Sequence, residues 1–140
     1  MLLLDVNVWV ALTFDKHPNH SSAKSWFDAL TTEVCFFCRT TQLGFLRVAT
    51  NQKAMGMNAL TLDEAWAAHD AFLGDPRVAF AVEPVELEAH WRTFTKGGTF
   101  SPHVWNDAYL AAFAPASGLM VVTFDRGFAK FTGVPSTILP

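Results

Sequence analysis

The chain has 140 residues, one domain's worth of polypeptide, and half of it is apolar, with thirteen Phe and five Trp, which excludes a disordered chain. A net charge of −3 excludes a broad electrostatic grip on nucleic acid, so any such role has to be local and metal-assisted. No apolar run approaches the roughly 20 residues of a membrane-spanning helix, and the opening Met-Leu-Leu-Leu run meets Asp5 too early for a secretory signal, so a cytoplasmic protein is expected.

The first residues read as an apolar strand that stops on Asp5. Val6 to Phe14 is too continuously apolar to show one amphipathic face and reads as a short buried helix. Asp15 to His20 is a turn around Pro18, with Asn19 or Ser21 as cap of a helix reaching Leu30. Val34 to Cys38 is the second strand. Thr40 to Thr50 is helical, with Leu43, Leu46, Arg47 and Thr50 spaced by three and four and Gly44 as a weak point.

Asn51 to Asn58 reads as a loop, and Thr61-Leu-Asp-Glu64 fits a capping box that starts a helix over Leu62 to Phe72. Val78 to Val82 is the third strand. Pro84 then occupies the first position of a helix that runs to about Thr95, and residues 96–100 form a flexible loop. Ser101-Pro102 opens the next helix, which presents Val104, Ala108, Ala111 and Ala112 as a small-residue face and should end or kink at Pro115. Leu119 to Phe124 is a strand apolar enough to be buried on both faces, and Ser136 to Leu139 is a short fifth one. Strands alternating with helices through the whole chain predict right-handed crossovers and a parallel sheet covered on both sides. No repeat, low-complexity tract or linker divides residues 1–140.

Asp5 closes the first strand, Asp125 closes the fourth, and Asp107 lies in the early turns of the helix between them. Each has a local explanation: Asp5 as a helix cap, Asp125 as an Asx-turn residue, Asp107 as an answer to the helix dipole. Taken together they point elsewhere. Carboxyl ends of adjacent strands lie only about 5 Å apart, and carboxylates crowded there need a cation. Oxygen ligands suit Mg²⁺ or Mn²⁺, which lowers the pKa of bound water and neutralises a leaving oxygen. Phosphodiester hydrolysis is the matching reaction class.

Leu-Leu-Asp5-Val-Asn7-Val-Trp, Thr41-Gln42-Leu-Gly-Phe-Leu-Arg47, Trp105-Asn-Asp107-Ala-Tyr-Leu-Ala-Ala and Val-Thr123-Phe-Asp125-Arg-Gly-Phe128 resemble the four motifs of PIN-domain ribonucleases. More narrowly they are similar to the VapC toxins of bacterial toxin–antitoxin pairs. The resemblance spans almost the whole chain. It implies a three-layer α/β/α domain with a mainly parallel sheet of four to five strands. It also implies an endoribonuclease in which Asp5, Asp107 and Asp125 hold Mg²⁺ or Mn²⁺. Gln42 stands where the family often has a glutamate, and it enters as a fourth catalytic position that cannot act as a base. Asn7 and Thr123 are expected to orient a ligand or a metal-bound water, and Arg126, Lys130 and Arg47 to contact RNA. The resemblance further implies a homodimer and a VapB-type antitoxin that covers the site, with Trp9, Phe14, Trp26 and Phe27 either lining its groove or lying in the core.

Other signals compete with this one. His17-x-x-His20 and Cys35-x-x-Cys38 have the composition of a zinc site, although an odd spacing on a strand sends the two thiols to opposite faces. His103 reads as a first-turn cap or as an edge of the pocket. A non-catalytic PIN scaffold for partner binding is the second functional reading. A phosphoaspartate-type phosphotransferase is the third, disfavoured because Asn7 stands where that chemistry wants a second aspartate.

Overall fold

The computed structural model describes every residue except Thr99, which lies in the expected 96–100 loop. Its elements in chain order are β1 (Leu2–Leu4), α1 (Val6–Thr13), α2 (His20–Asp28), β2 (Cys35–Phe37), α3 (Arg39–Ala49), α4 (Gln52–Met55), α5 (Leu62–Leu73), β3 (Val78–Phe80), α6 (Leu87–Thr95), α7 (Val104–Ser117), β4 (Met120–Thr123) and β5 (Ser136–Ile138). The five strands form one parallel sheet in the order β3-β2-β1-β4-β5. The chain therefore winds to one side of β1 and then restarts on the other, which makes the β1/β4 junction the topological switch point where open α/β sheets place their ligands.

Register sorts the central strands between two cores. Leu3 and Val121 are paired and face one side, with the buried stretch Ala108–Ala114 of α7 and with Phe128 and Phe131. Leu4 and Val122 are paired and face the other, with α1, Phe27 of α2, and Phe45 of α3. The second core is built on aromatics. Trp9 stacks on Phe37 with centroids 3.8 Å apart, and Phe72 meets Trp9 edge-on at 5.0 Å. Each such pair contributes about 1 kcal/mol beyond its buried area. Trp9, Phe14 and Phe27 are thus core residues, while Trp26 is only half-buried at its margin.

Cys35 lies in one core and Cys38 in the other, as their spacing on a strand predicts. His17 accepts the Asn19 amide at Nδ1, and His20 Nδ1 is engaged by the Ala11 carbonyl at 2.8 Å, so each ring has a local backbone partner. The expected capping box forms at Thr61 and Glu64 in both directions.

Four local expectations are corrected. The 51–58 loop is instead α4, capped by the Asn51 side chain, followed by a 3₁₀ turn over Gly56–Asn58. α6 begins at Leu87, after a turn closed by the Leu87 amide on the Pro84 carbonyl. That start lets Leu87 face the core, whereas Val85 is fully exposed. α7 runs through Pro115 to Ser117, because burial of Ala108 to Ala114 outweighs one lost helical bond near the end, and Gly118 in the left-handed region terminates it. Neither Asn19 nor His103 caps its helix through its side chain.

Candidate functional site

The site grows out of the end of β1. Asp5 leaves the strand in an extended conformation, its amide donates to Val122 O of β4, and its Oδ1 accepts the Val6 amide at 2.6 Å as the cap of α1. Its other oxygen, Oδ2, accepts from Thr123 Oγ1 at 2.7 Å and from Asn7 Nδ2 at 2.9 Å. Asn7 is itself fixed: Nδ2 also reaches Thr123 Oγ1 at 3.0 Å, and Oδ1 accepts the Phe124 amide at 3.1 Å. Thr123 Oγ1 takes the Asp125 amide as well. Asn7 and Thr123 therefore clamp Asp5 and tie the start of α1 to the end of β4.

Asp125 follows, accepting the Gly127 amide at 2.7 Å and capping a 3₁₀ turn over Arg126–Lys130. The cap and the Asx-turn foreseen as local explanations are both real, and they coexist with the site because each uses only part of a carboxylate's accepting capacity. Lys130 at the end of that turn reaches back to Asp107 Oδ2 on the first turn of α7, at 3.0 Å.

Asp5 and Asp107 line one cleft of about 360 Å³, walled by α3 through Thr40, Gly44, Arg47 and by Asn51 just beyond it, and by Asn106 of α7. Asp125 is exposed and does not line this cleft, so the structure brings two of the three expected acids into it. Burial pushes the Asp5 carboxyl above the usual carboxylate range, the bonds from Thr123 and Val6 draw it back, and the negative charges of Asp107 and Asp125 raise it further. The three acids thus share one electrostatic environment. Among the described residues, however, no group of three or more His, Cys, Asp or Glu side chains is placed to hold a metal ion. Asp5 and Asp107 alone offer the one or two carboxylate oxygens that a hard divalent cation such as Mg²⁺ or Mn²⁺ takes while keeping most of its waters.

Gln42 is not brought to the acids. It is buried on another face of α3, where its Oε1 accepts from Arg39 and its Nε2 faces His69 Nε2 of α5 at 3.2 Å. The position facing the cleft is Gly44, and a side chain there would collide with Val6. Thr40, Gly44 and Arg47 were readable in principle, since their spacing of four and three marks one face of α3. Arg47 lines the cleft, and Arg126 is exposed next to Asp125.

With this geometry in view, the similarity to known proteins is specific. The PIN domain matches residues 2–134. Ribonuclease VapC41 of Mycobacterium tuberculosis is 43% identical over 144 residues, covering 99% of each chain. Among solved structures, M. tuberculosis VapC20, a sarcin-ricin loop cleaving toxin, aligns over 100% of both chains with a TM-score of 0.69 at 18% identity. VapBC2 from Rickettsia felis, bound to a DNA fragment from its promoter, aligns with a TM-score of 0.71 at 16% identity, over 99% of this chain and 98% of that one. The α/β/α architecture and the full-length match agree: the chain belongs to the PIN domain family, among the VapC ribonucleases.

Proposed function

We propose that this chain is a metal-dependent endoribonuclease toxin that hydrolyses RNA phosphodiester bonds and is held in check by a cognate VapB-type antitoxin. The observation that carries the reading is the convergence of Asp5 and Asp107 in one cleft at the switch point, with the Asp125 charge felt at Asp5. The 43% identity to a ribonuclease over the full chain supports it, as does the likeness to toxins solved with their antitoxins.

Asp5 and Asp107, which share the cleft, would hold Mg²⁺ or Mn²⁺, with Asp125 adding its charge nearby; the ion when bound supplies an activated water and neutralises charge on the leaving oxygen. Asn7 and Thr123 fix the Asp5 carboxylate in one orientation, so no side-chain freedom is lost when it engages a ligand. Lys130 offsets the charge of Asp107, and Arg126 and Arg47 offer cations to the phosphates of the substrate. A cytoplasmic homodimer is part of this proposal. Gln42 is not part of it.

The test is cleavage of RNA by antitoxin-free protein with and without Mg²⁺ or Mn²⁺, comparing the parent with Asp5→Asn and Asp125→Asn. Metal-dependent cleavage that both substitutions abolish is expected. Cleavage in the presence of a chelator, or full activity in both variants, would overturn the reading. The ion pair between Lys130 and Asp107 favours one rival, a scaffold that binds partners without catalysis, because it already satisfies one acid. Failure of the folded parent protein to cut any RNA with either metal would select that rival.

A further inference from the structure

We infer that the cleft has a second half, formed by Arg47 and Asn51, which binds a phosphodiester group of single-stranded RNA adjacent to the one being cut. This rests on the ribonuclease reading and assigns the substrate contacts within the same cleft.

Val6, the neighbour of Asp5, packs against Gly44; Arg47 follows about one turn further along the same face of α3, and Asn51 lies just past the end of that helix and also lines the cleft. Asp5, Asp107 and these two donors therefore line the same cleft. Arg47 is exposed, and among the described residues its guanidinium has no ion pair or hydrogen bond. Arg126, exposed beside Asp125, shares this freedom but does not line the cleft, and the other three arginines are engaged. Arg39 is held by Gln42 and the Phe80 ring, Arg77 by Asp75, and Arg92 by Glu88. Nor is Arg47 needed as the counter-ion of the acids, since Lys130 already pairs with Asp107.

Asn51 completes the pair through a constraint on its amide. Its Oδ1 accepts the amides of Lys53 and Ala54 at 2.9 and 3.4 Å, capping α4, so the oxygen is committed. The two hydrogens on Nδ2 have no acceptor among the described residues and remain for a ligand. A planar guanidinium fork beside a locked amide donor matches the non-bridging oxygens of a phosphodiester.

The experiment measures binding of a fluorescein-labelled single-stranded RNA of mixed sequence by anisotropy across a KCl series in Mg²⁺. The protein carries Asp125→Asn to suppress cleavage. Arg47→Ala is expected to weaken binding about tenfold at low salt and to reduce the slope of log affinity against log salt by about 0.7, one phosphate contact on a single strand. Arg47→Lys keeps the slope. Asn51→Asp preserves the α4 cap through the same oxygen while replacing the donor with a negative charge, so it weakens binding without lowering the melting temperature. An unchanged slope in Arg47→Ala would overturn the subsite alone and assign this guanidinium to a protein partner instead. No RNA binding by the protein with Arg47 intact would overturn the ribonuclease reading and the subsite together.

Discussion

Gln42 lies two residues before Gly44 on α3, which at about 100° per residue turns its side chain roughly 160° from the glycine that faces the cleft. Its amide instead joins α3 to α5, between Arg39 and the buried ring of His69. Removing it leaves a buried nitrogen without its partner, so Gln42→Ala should lower stability by about 2 kcal/mol in chemical denaturation. The same variant should cleave RNA normally per folded molecule. Gln42→Glu should leave the metal concentration needed for cleavage unchanged; a lower requirement would show that the side chain does reach the acids. The expectation that Gln42 belongs to the site came from motif position alone, and motif position carries no direction around the helix. Asn7 and Thr123 show the converse case. Their residue types hinted at ligand orientation, but the three-way clamp on Asp5 spans 118 positions of chain and exists only once β1 and β4 are paired.

At the scale of elements, the approach of α1 to α3 decides whether the cleft has room for a ligand. Gly44 permits it, because a Cβ there would press into Val6 Cγ2, and a β-branched side chain on a helix has few rotamers with which to yield. Gly44→Ala should therefore cost about 1–3 kcal/mol through overpacking. The double variant Gly44→Ala, Val6→Ala should recover most of the loss caused by the glycine substitution in thermal melts. Additive losses in the double variant would reject this account. Read in sequence, Gly44 is a weak point of a helix; in the fold it is the contact that sets the helix spacing. Pro84 and Pro115 have a related history. Local rules placed a helix start at one and a helix end at the other, and in both cases the burial of neighbours, Leu87 and Ala108 to Ala114, moved the boundary.

At the scale of the whole molecule, the parallel sheet divides the interior into two cores, and the cysteines report on both. Cys35 is buried in one, and burial pushes its thiol up to about 12; Cys38 is buried in the other and is pushed upward for the same reason. A thiol whose pKa lies well above the ambient pH carries almost no reactive thiolate. Neither cysteine should react with a disulfide reagent at pH 8 in the native state, and both should become reactive together on unfolding in denaturant. Rapid labelling of one thiol in native buffer would show that its side of the sheet opens independently.

By itself the sequence determined the alternation of strands and helices, the capping box at Thr61, the separation of the two thiols, and the three acids at strand and helix ends. These follow from periods of 2 and 3.6 residues and from turn chemistry, which are properties of short segments. Tertiary structure alone decided the strand order that makes β1 the switch point, the clamp that holds Asp5, the pairing of Lys130 with Asp107, and which face of α3 meets the cleft. Those depend on contacts between residues far apart in the chain, and the direction of a side chain about its helix axis acquires meaning only when another element packs against it.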